Sequence, residues 1–356
     1  MSFRALKYTT VYTGAGCGVL SLLGEGWLVL ALPLYAFALI PFLELFLKPD
    51  PRNMEAAEVE LARQDSVYDW LLYSILPIQW GMMALLLFVL NFMQWTNWEI
   101  AGKIWAAGIG CGVLGINVAH ELGHRTKWQS RLAARLLLLS SLYMHFFIEH
   151  NRGHHLRVST PEDPASARKG ESLYAFWIRS VVGSYFSAWH LENSRLKRKG
   201  VAWISPQNEM LVYQLLQVGL VVGIGLLLNW QSALAFVLAA TIGFLLLETV
   251  NYIEHYGLQR KKSTDGTYAR VEPQHSWNSD HPLGRLVLFE LSRHSDHHYR
   301  SGKKYQLLRH WDHAPQMPTG YPGMMVLATI PPLWFYVMHR QLAGLESELA
   351  QEAQPT

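Results

Sequence analysis

The chain has 356 residues, of which 50% are hydrophobic and 16% are charged, whereas ordinary soluble proteins carry about 25% charged residues. This composition argues against a soluble enzyme. The mean hydropathy of +0.08 is too low for membrane spans alone, so we expect a polar part beside them. The two cysteines, Cys17 and Cys111, exclude a disulfide framework and a four-cysteine metal site. The net charge of +3 is less informative than where the charges lie.

Six apolar stretches approach the roughly 20 residues that a helix needs to cross a bilayer. Pro33 and Pro41 interrupt the second stretch and predict a kink there. The short turns on one side of these stretches contain no Lys or Arg, and only Lys103 of the 30 basic residues falls toward that side. The positive-inside rule therefore predicts that both termini are cytoplasmic. The predicted spans are Leu6 to Leu23, Trp27 to Leu47, Trp70 to Phe92, Ile100 to Ala119, Met210 to Leu228 and Ser232 to Tyr252.

A seventh apolar run extends from Leu132 to Ile148. If it spanned the membrane, the histidine-rich motifs on either side of it would lie on opposite faces. We therefore interpret it as a helix packed under the bundle, and Arg131 and Arg135 near its start agree with that position. The run from Tyr321 to Met338 contains two prolines and is predicted to be interfacial.

These elements predict an all-α integral membrane protein: one catalytic domain over residues 1–356, with six transmembrane helices and a cytoplasmic cap. We expect it in a bacterial-type inner membrane. The final residues read as a short polar helix that frays. The spans occupy about 6–119 and 210–252, the cap 120–209 and 253–340, and the polar tail 341–356.

Histidine is unusually frequent, with 16 residues, and nine of them occur in four motifs on the predicted cytoplasmic side. Spacings of three and four residues can aim imidazoles from neighbouring helical turns at one point. Nine imidazoles exceed the capacity of one ion, so two metals are predicted. Iron is favoured because it accepts imidazole and performs oxygen chemistry. The nine are His120, His124, His150, His154, His155, His255, His294, His297 and His298.

Five carboxylates flank these histidines and are candidates to accept the far ring N–H, which would turn the other nitrogen toward a metal. Asp163 and Glu254 are the favoured pair. The sequence around His120 also matches HExxH, in which Glu121 would be the general base of a zinc protease. That alternative leaves seven clustered histidines unexplained. The five carboxylates are Glu121, Glu149, Asp163, Glu254 and Asp296.

At these motifs the sequence resembles the membrane-bound alkane 1-monooxygenases. The resemblance rests on HELGHR from His120, EHNRGHHLRVSTPEDPASARKGES from Glu149, NYIEHYGL from Asn251 and LSRHSDHH from Leu291, and it continues through HSWNSD and PTGYPG. The second and third motifs separate this family from ordinary desaturases. Arg125 is a small departure, because the family usually has lysine there.

The resemblance implies six membrane helices with a cytoplasmic cap, and two irons bound by the nine histidines without heme or flavin. It also implies terminal hydroxylation of medium- to long-chain n-alkanes with O2, using electrons that rubredoxin carries from an NADH-dependent reductase. Two cysteines cannot form the four-thiolate site of rubredoxin, so the donor is expected to be a separate protein. No nucleic-acid partner is expected.

Other functions remain open from the residues. A fatty-acyl desaturase would use the same metals on an acyl chain, and a xylene-type methyl hydroxylase would act on an aromatic substrate. A metal carrier would need ligands at mid-membrane rather than at one interface.

Two further hypotheses concern substrate length and donor docking. Ala36, in the second span, is a candidate to line the far end of a substrate tunnel, although lipid-facing packing is an equal alternative. Basic residues of the cap could attract an acidic rubredoxin, or they could only bind anionic lipid headgroups. The basic residues form two runs, Arg195, Lys197, Arg198 and Lys199 in one, and Arg260, Lys261 and Lys262 in the other.

Overall fold

The computed structural model describes residues 3–352 of the chain. Helices and loops make up this part, and the only strand-like pairings found within it are two isolated bridges. The all-α prediction is therefore confirmed. Five helices are long and apolar enough to cross a membrane, namely Gly26–Glu44, Val67–Phe92, Asn97–Gly123, Glu209–Leu227 and Trp230–His255. In chain order we label these five helices α1 to α5.

The first predicted span differs from the other five. It is an α-helix only over Val11–Leu23, and the preceding residues Phe3–Thr10 form a 3-10 helix that carries Arg4 and Lys7. This segment is not among the five long apolar helices, and a sixth span remains a prediction.

Helices α3 and α5 approach closely through glycines. A Cβ built on Gly108 would lie 2.5 Å from Ile242, and one on Gly243 would lie 2.4 Å from the Cβ of Cys111. A Cβ on Gly112 would lie 3.0 Å from the carbonyl oxygen of Gly243. Small residues of this kind let helix backbones come together where larger ones would hold them apart. The two helices are therefore fixed at a short distance from one another.

Three short turns between the predicted spans meet at one end of the bundle, around residues 24–26, 94–97 and 229–231. Glu99 accepts a hydrogen bond from the backbone N–H of Gly26, and Asn229 donates its side-chain amide to Asn91 at 2.6 Å. Lys103 is fully buried here, and its ammonium group donates to the carbonyls of Leu22 at 2.8 Å and Gly24 at 2.6 Å. The lone basic residue of this end thus satisfies carbonyls at a helix terminus.

The structure divides the seventh apolar run, Leu132 to Ile148: its first part belongs to Trp128–Ser140, a 13-residue helix that is too short to span, and its last part to the short helix Phe146–Glu149. The run after residue 320 forms two helices, Tyr321–Ala328 and Pro331–Glu352. The second begins at a proline, a residue that suits the first turn of a helix. It continues through most of the predicted fraying tail, whose last residues, 353–356, lie outside the described residues.

The remaining helices surround the histidine-bearing end of the bundle. Leu173–Arg198 is the longest of them, with 26 residues, and its N-terminal Ser172 accepts a hydrogen bond from the backbone N–H of Ala175 as a helix cap. The others are Ala56–Gln64, Phe146–Glu149, His155–Arg157, Pro282–Val287 and His294–Tyr299.

Candidate metal centre

Four segments bring the nine histidines together at one end of the bundle. His120 lies in the last turn of α3 and His255 is the last residue of α5. The second motif is π-helical over His150–His154, and the fourth forms the short helix His294–Tyr299. Seven of the nine side chains are buried and two are partly buried. The gathering of these residues agrees with the sequence prediction.

The histidines separate into two groups, and within each group the ligand nitrogens lie within 4.8 Å of one another. Neighbours along the chain fall into different groups, as His154 and His155 do. Successive residues of an α-helix point about 100° apart, so a His-His pair faces two centres at once. The first histidine group is His120, His124, His150, His155 and His297, and the second histidine group is His154, His255, His294 and His298.

The first histidine group fits a cation better than it fits hydrogen bonding. The Nε2 atoms of His124, His150 and His155 form a triangle with sides of 3.1, 3.0 and 3.2 Å. A neutral imidazole nitrogen either carries a hydrogen or offers a lone pair. At least one side of any such triangle therefore joins two donors or two acceptors, which cannot form a hydrogen bond with each other. Two nitrogens about 2.0–2.1 Å from one ion and at right angles to each other would lie about 3 Å apart.

Unpaired nitrogens strengthen this fit. The Nε2 atoms of His120 and His297 are buried in the same group without a hydrogen-bond partner, although buried polar atoms are nearly always paired. Burial lowers the pKa of His124 to about 3 and holds the pKa values of His150 and His155 well below the usual value. These imidazoles are therefore neutral at pH 7, the form that binds metal.

Asp163 makes the contact expected of a carboxylate that orients a ligand. Its Oδ2 lies 2.9 Å from Nδ1 of His154, while Nε2 of His154 faces His298 at 3.2 Å. Burial opposes a charge on His154, but the Asp163 carboxylate outweighs it and raises the pKa of the imidazole. Ser166 donates a hydrogen bond to the same carboxylate at 2.6 Å and holds it in place.

Glu254 differs from the expectation of a far-ring acceptor. Its Oε2 lies 3.2 Å from Nε2 of His294, and this same nitrogen lies 3.3 Å from Nε2 of His255. The carboxylate thus stands on the side of the ring where the second histidine group converges. Its Oε1 is buried.

The other three carboxylates pair with groups that are not imidazoles. Glu121 accepts hydrogen bonds from Arg125 and from the backbone N–H of Tyr305, because the loop that carries Tyr305 packs against the HELGHR helix. Glu149 accepts from Arg157 at 2.7 Å and Asp296 accepts from Trp311 at 3.0 Å. The engagement of Glu121 also weakens the protease interpretation, which needs that carboxylate as a base.

An apolar cavity ends against both histidine groups. His120 and His150 of the first group and His294 of the second lie in its wall. Val113 and Leu246 are among the apolar residues that supply much of the rest of that wall. The cavity can therefore bring an apolar molecule to both histidine groups at once.

Ala36 lies away from this wall. It belongs to a π-helical stretch, Tyr35–Leu39, of helix α1, and it is partly buried against the main hydrophobic core. The described residues that line the cavity at the histidines do not include it. A role at the far end of a tunnel remains a hypothesis.

The two basic runs contain both free and engaged side chains. Lys197, Arg198, Lys199, Lys261 and Lys262 are exposed. Arg195 instead donates to Glu192, and Arg260 donates to the backbone carbonyls of Leu156 and Ala269. Since Leu156 directly follows His155, the second run lies beside the second histidine motif.

Sequence reasoning missed Asn117 and Asn251, which both line the cavity. Asn117 follows a π-helical stretch, Cys111–Ile116, in helix α3, and such stretches often mark functional sites. A usable signal was its spacing, because Asn117 lies one helical turn before His120.

Comparisons with known proteins agree with this geometry. A family model described as fatty acid desaturase matches residues 93–328. Alkane 1-monooxygenase 2 of Pseudomonas aeruginosa is 42% identical over 91% of this chain and 86% of its own length. Alkane 1-monooxygenase 2 of Alcanivorax borkumensis is 38% identical over 99% and 92% of the two chains. The xylene/toluene monooxygenase hydroxylase component of Pseudomonas putida is 29% identical over 93% and 86%.

Proposed function

Because this chain belongs to the alkane 1-monooxygenase family, we propose that it hydroxylates the terminal carbon of medium- and long-chain n-alkanes to give 1-alkanols. The observation that carries the proposal is the apolar cavity that ends against both histidine groups. An alkane offers no polar group to bind, so an apolar cavity is the means by which a protein can orient it. The membrane helices and the histidine-bearing end act as one catalytic domain.

We propose that the nine histidines bind two irons, five in one group and four in the other, without heme or flavin. The close nitrogen triangle and the unpaired nitrogens support metal binding, and oxygen chemistry on a C–H bond favours iron. The irons would supply O2 activation. Asp163 holds the Nδ1–H of His154, which leaves Nε2 for the metal.

The chain itself supplies substrate capture, alignment and exclusion of water. An alkane partitions into the bilayer and can enter sideways between helices, while the apolar wall keeps bulk water from the reacting end. One oxygen atom of O2 enters the alcohol and the other leaves as water, which requires two electrons and two protons from outside. Ala36 is proposed to line the far end of the substrate tunnel, where it would limit the length of the alkane that can align.

The proposed location is a bacterial inner membrane, with both termini and the histidine-bearing end in the cytoplasm. The distribution of basic residues supports this orientation, and Lys103, the exception, is covered by backbone carbonyls. A cytoplasmic metal centre is also accessible to an NADH-dependent reductase.

We propose a separate rubredoxin as the immediate electron donor. The run Arg260 to Lys262 is the better docking candidate, because Arg260 contacts the segment that follows His155. Charge reversal at Lys261 and Lys262 should raise the rubredoxin concentration for half-maximal turnover and reduce its dependence on salt. The same reversal at Lys197 and Lys199 is the matched comparison. If neither pair changes either quantity, the donor docks elsewhere.

Two related reactions are the alternatives. The match to the fatty acid desaturase model favours an acyl-chain desaturase, and the xylene/toluene relative favours aromatic methyl hydroxylation. Product analysis separates the three reactions, because they give a 1-alkanol, an unsaturated acyl chain and a benzylic alcohol.

The decisive experiment supplies octane, hexadecane, an acyl substrate and xylene to purified enzyme with rubredoxin, reductase and NADH. We expect two irons per chain and 1-alkanols from the alkanes. One tightly bound zinc without iron, or an alkene as the sole product, would contradict the proposal. Replacing His255 with alanine should lose metal as readily as replacing any histidine of the clustered motifs.

A further inference from the structure

Asn117 lines the apolar cavity with a side-chain amide that has no partner. The residue is 7% exposed, and its Nδ2 is buried without a hydrogen-bond acceptor. Leaving a buried amide unpaired costs about 1–3 kcal/mol, so such a group calls for an explanation. The second amide of the wall is different, because Nδ2 of Asn251 lies 3.3 Å from Oε2 of Glu248.

The position of Asn117 ties it to the reacting end of the cavity. Val113, Asn117 and His120 are spaced by four and three residues along α3, and all three line the cavity. The amide therefore lies one helical turn from a histidine of the first group. An acceptor bound there would occupy the end of the cavity at which the proposed chemistry occurs.

The substrate cannot be that acceptor, because an alkane has no lone pair. The product has one, since hydroxylation places an oxygen on the carbon nearest the histidines. We infer that Asn117 donates a hydrogen bond to the hydroxyl oxygen of the 1-alkanol product. The inference rests on the proposed alkane hydroxylation, and it makes Asn117 a positioning residue for the oxygenated chain end.

This arrangement distinguishes product from substrate at a single atom. In the absence of alcohol, a water molecule can satisfy the amide. When the hydroxyl group forms at the chain end, its oxygen takes the place of that water. The alcohol is then held with its first carbon still beside the histidines, whereas an alkane of the same length gains nothing from Asn117.

The test compares equilibrium binding of 1-dodecanol and dodecane to metal-loaded protein in nanodiscs without an electron donor. For each protein we take the ratio of the dissociation constant of dodecanol to that of dodecane. This ratio is then compared between a variant and the wild type, because the partition of each ligand into lipid is the same for both proteins and cancels. Asn117→Leu should weaken dodecanol binding about threefold to tenfold, the effect of one neutral hydrogen bond, and should leave dodecane binding unchanged or slightly tighter.

Two further variants keep the test decisive. Asn117→Ala should change the ratio in the same direction, and the ratio is internal to each preparation, so partial loss of folded protein does not alter it. Val113→Ala alters the same wall without removing a donor and should shift both ligands by the same factor. An unchanged ratio in both Asn117 variants, or an equal change in Val113→Ala, overturns the inference.

The result can be separated from the proposed function itself. Conversion of dodecane to dodecanol by wild-type enzyme with its donor tests hydroxylation, whereas the binding ratio is measured without turnover. If dodecane is not hydroxylated, the proposed function fails whatever the ratio. If it is hydroxylated and the ratio is unchanged, only the role of Asn117 fails.

Discussion

Replacing Gly243 with alanine tests whether the close packing of α3 and α5 sets the geometry of the metal centre. The added Cβ would lie 2.4 Å from the Cβ of Cys111 and 3.2 Å from the backbone nitrogen of Gly112. Carbon atoms in good contact are about 3.5–4.0 Å apart. The helices must therefore separate by about 1–1.5 Å at this point.

That separation is large on the scale of metal coordination. Gly243 lies 12 residues before His255 in the same helix, a distance of about 18 Å, so a displacement of α5 carries His255 with it. Ligand distances in metal sites hold to about 0.2 Å. Overpacking costs about 1–3 kcal/mol, which is below the stability of a typical domain. We expect a folded protein that loses metal from the second histidine group.

The assay is metal content per chain, measured beside the thermal midpoint of unfolding. Gly219→Ala is the matched control, because a Cβ there meets nothing within 4 Å. Adding Cys111→Gly to the Gly243→Ala variant removes the nearest clashing atom and should restore part of the metal. Full metal content and activity in the single variant would refute the link between glycine packing and the site.

Three other changes have defined outcomes. Asp163→Asn should weaken metal binding about tenfold to a hundredfold, because it removes the carboxylate that orients His154; the measurement is retention of iron against a chelator. Burial lowers the pKa of His145 to about 4, from about 6.5 when unfolded. This histidine therefore contributes about 3 kcal/mol above pH 6.5 that is lost as pH falls toward 4, and His145→Asn should lack this contribution in melting curves. Ala36→Trp should shorten the longest alkane accepted, measured by product chain length.

Each of these predictions has a result that contradicts it. Wild-type chelator resistance in Asp163→Asn would mean that the carboxylate does not tune the ligand. A constant difference in stability between wild type and His145→Asn from pH 7.5 to 4.5 would remove the assigned role of that imidazole. An unchanged product range in a well-expressed Ala36→Trp variant would favour lipid-facing packing.

The helical membrane frame could be predicted because hydropathy acts over whole segments. Five of the six apolar runs became long helices. The first did not, because residues Phe3–Thr10 form a 3-10 helix, from which Lys7 and Tyr8 contact Glu290 near the fourth histidine motif. Local polarity of this kind is visible in the sequence, but its effect on helix type depends on tertiary contacts.

The membership of the candidate site could be predicted from spacing, but its division could not. Helix geometry separates His154 from His155, but whether His154 joins His297 or His298 depends on how two distant segments meet. The carboxylates illustrate the same limit. Asp163 faces a ring nitrogen, whereas Glu149 faces Arg157, a residue of the same motif whose pairing with Glu149 the spacing does not identify.

The buried ammonium of Lys103 has a consequence for chemical mapping of the protein. Its hydrogens are directed at carbonyls of Leu22 and Gly24, and the ring of Trp95 lies 3.4 Å from the nitrogen. An amine-reactive reagent in solution cannot reach a group held in this way. Among the described residues, we therefore expect the end of the bundle at which the short turns meet to be silent to lysine labelling.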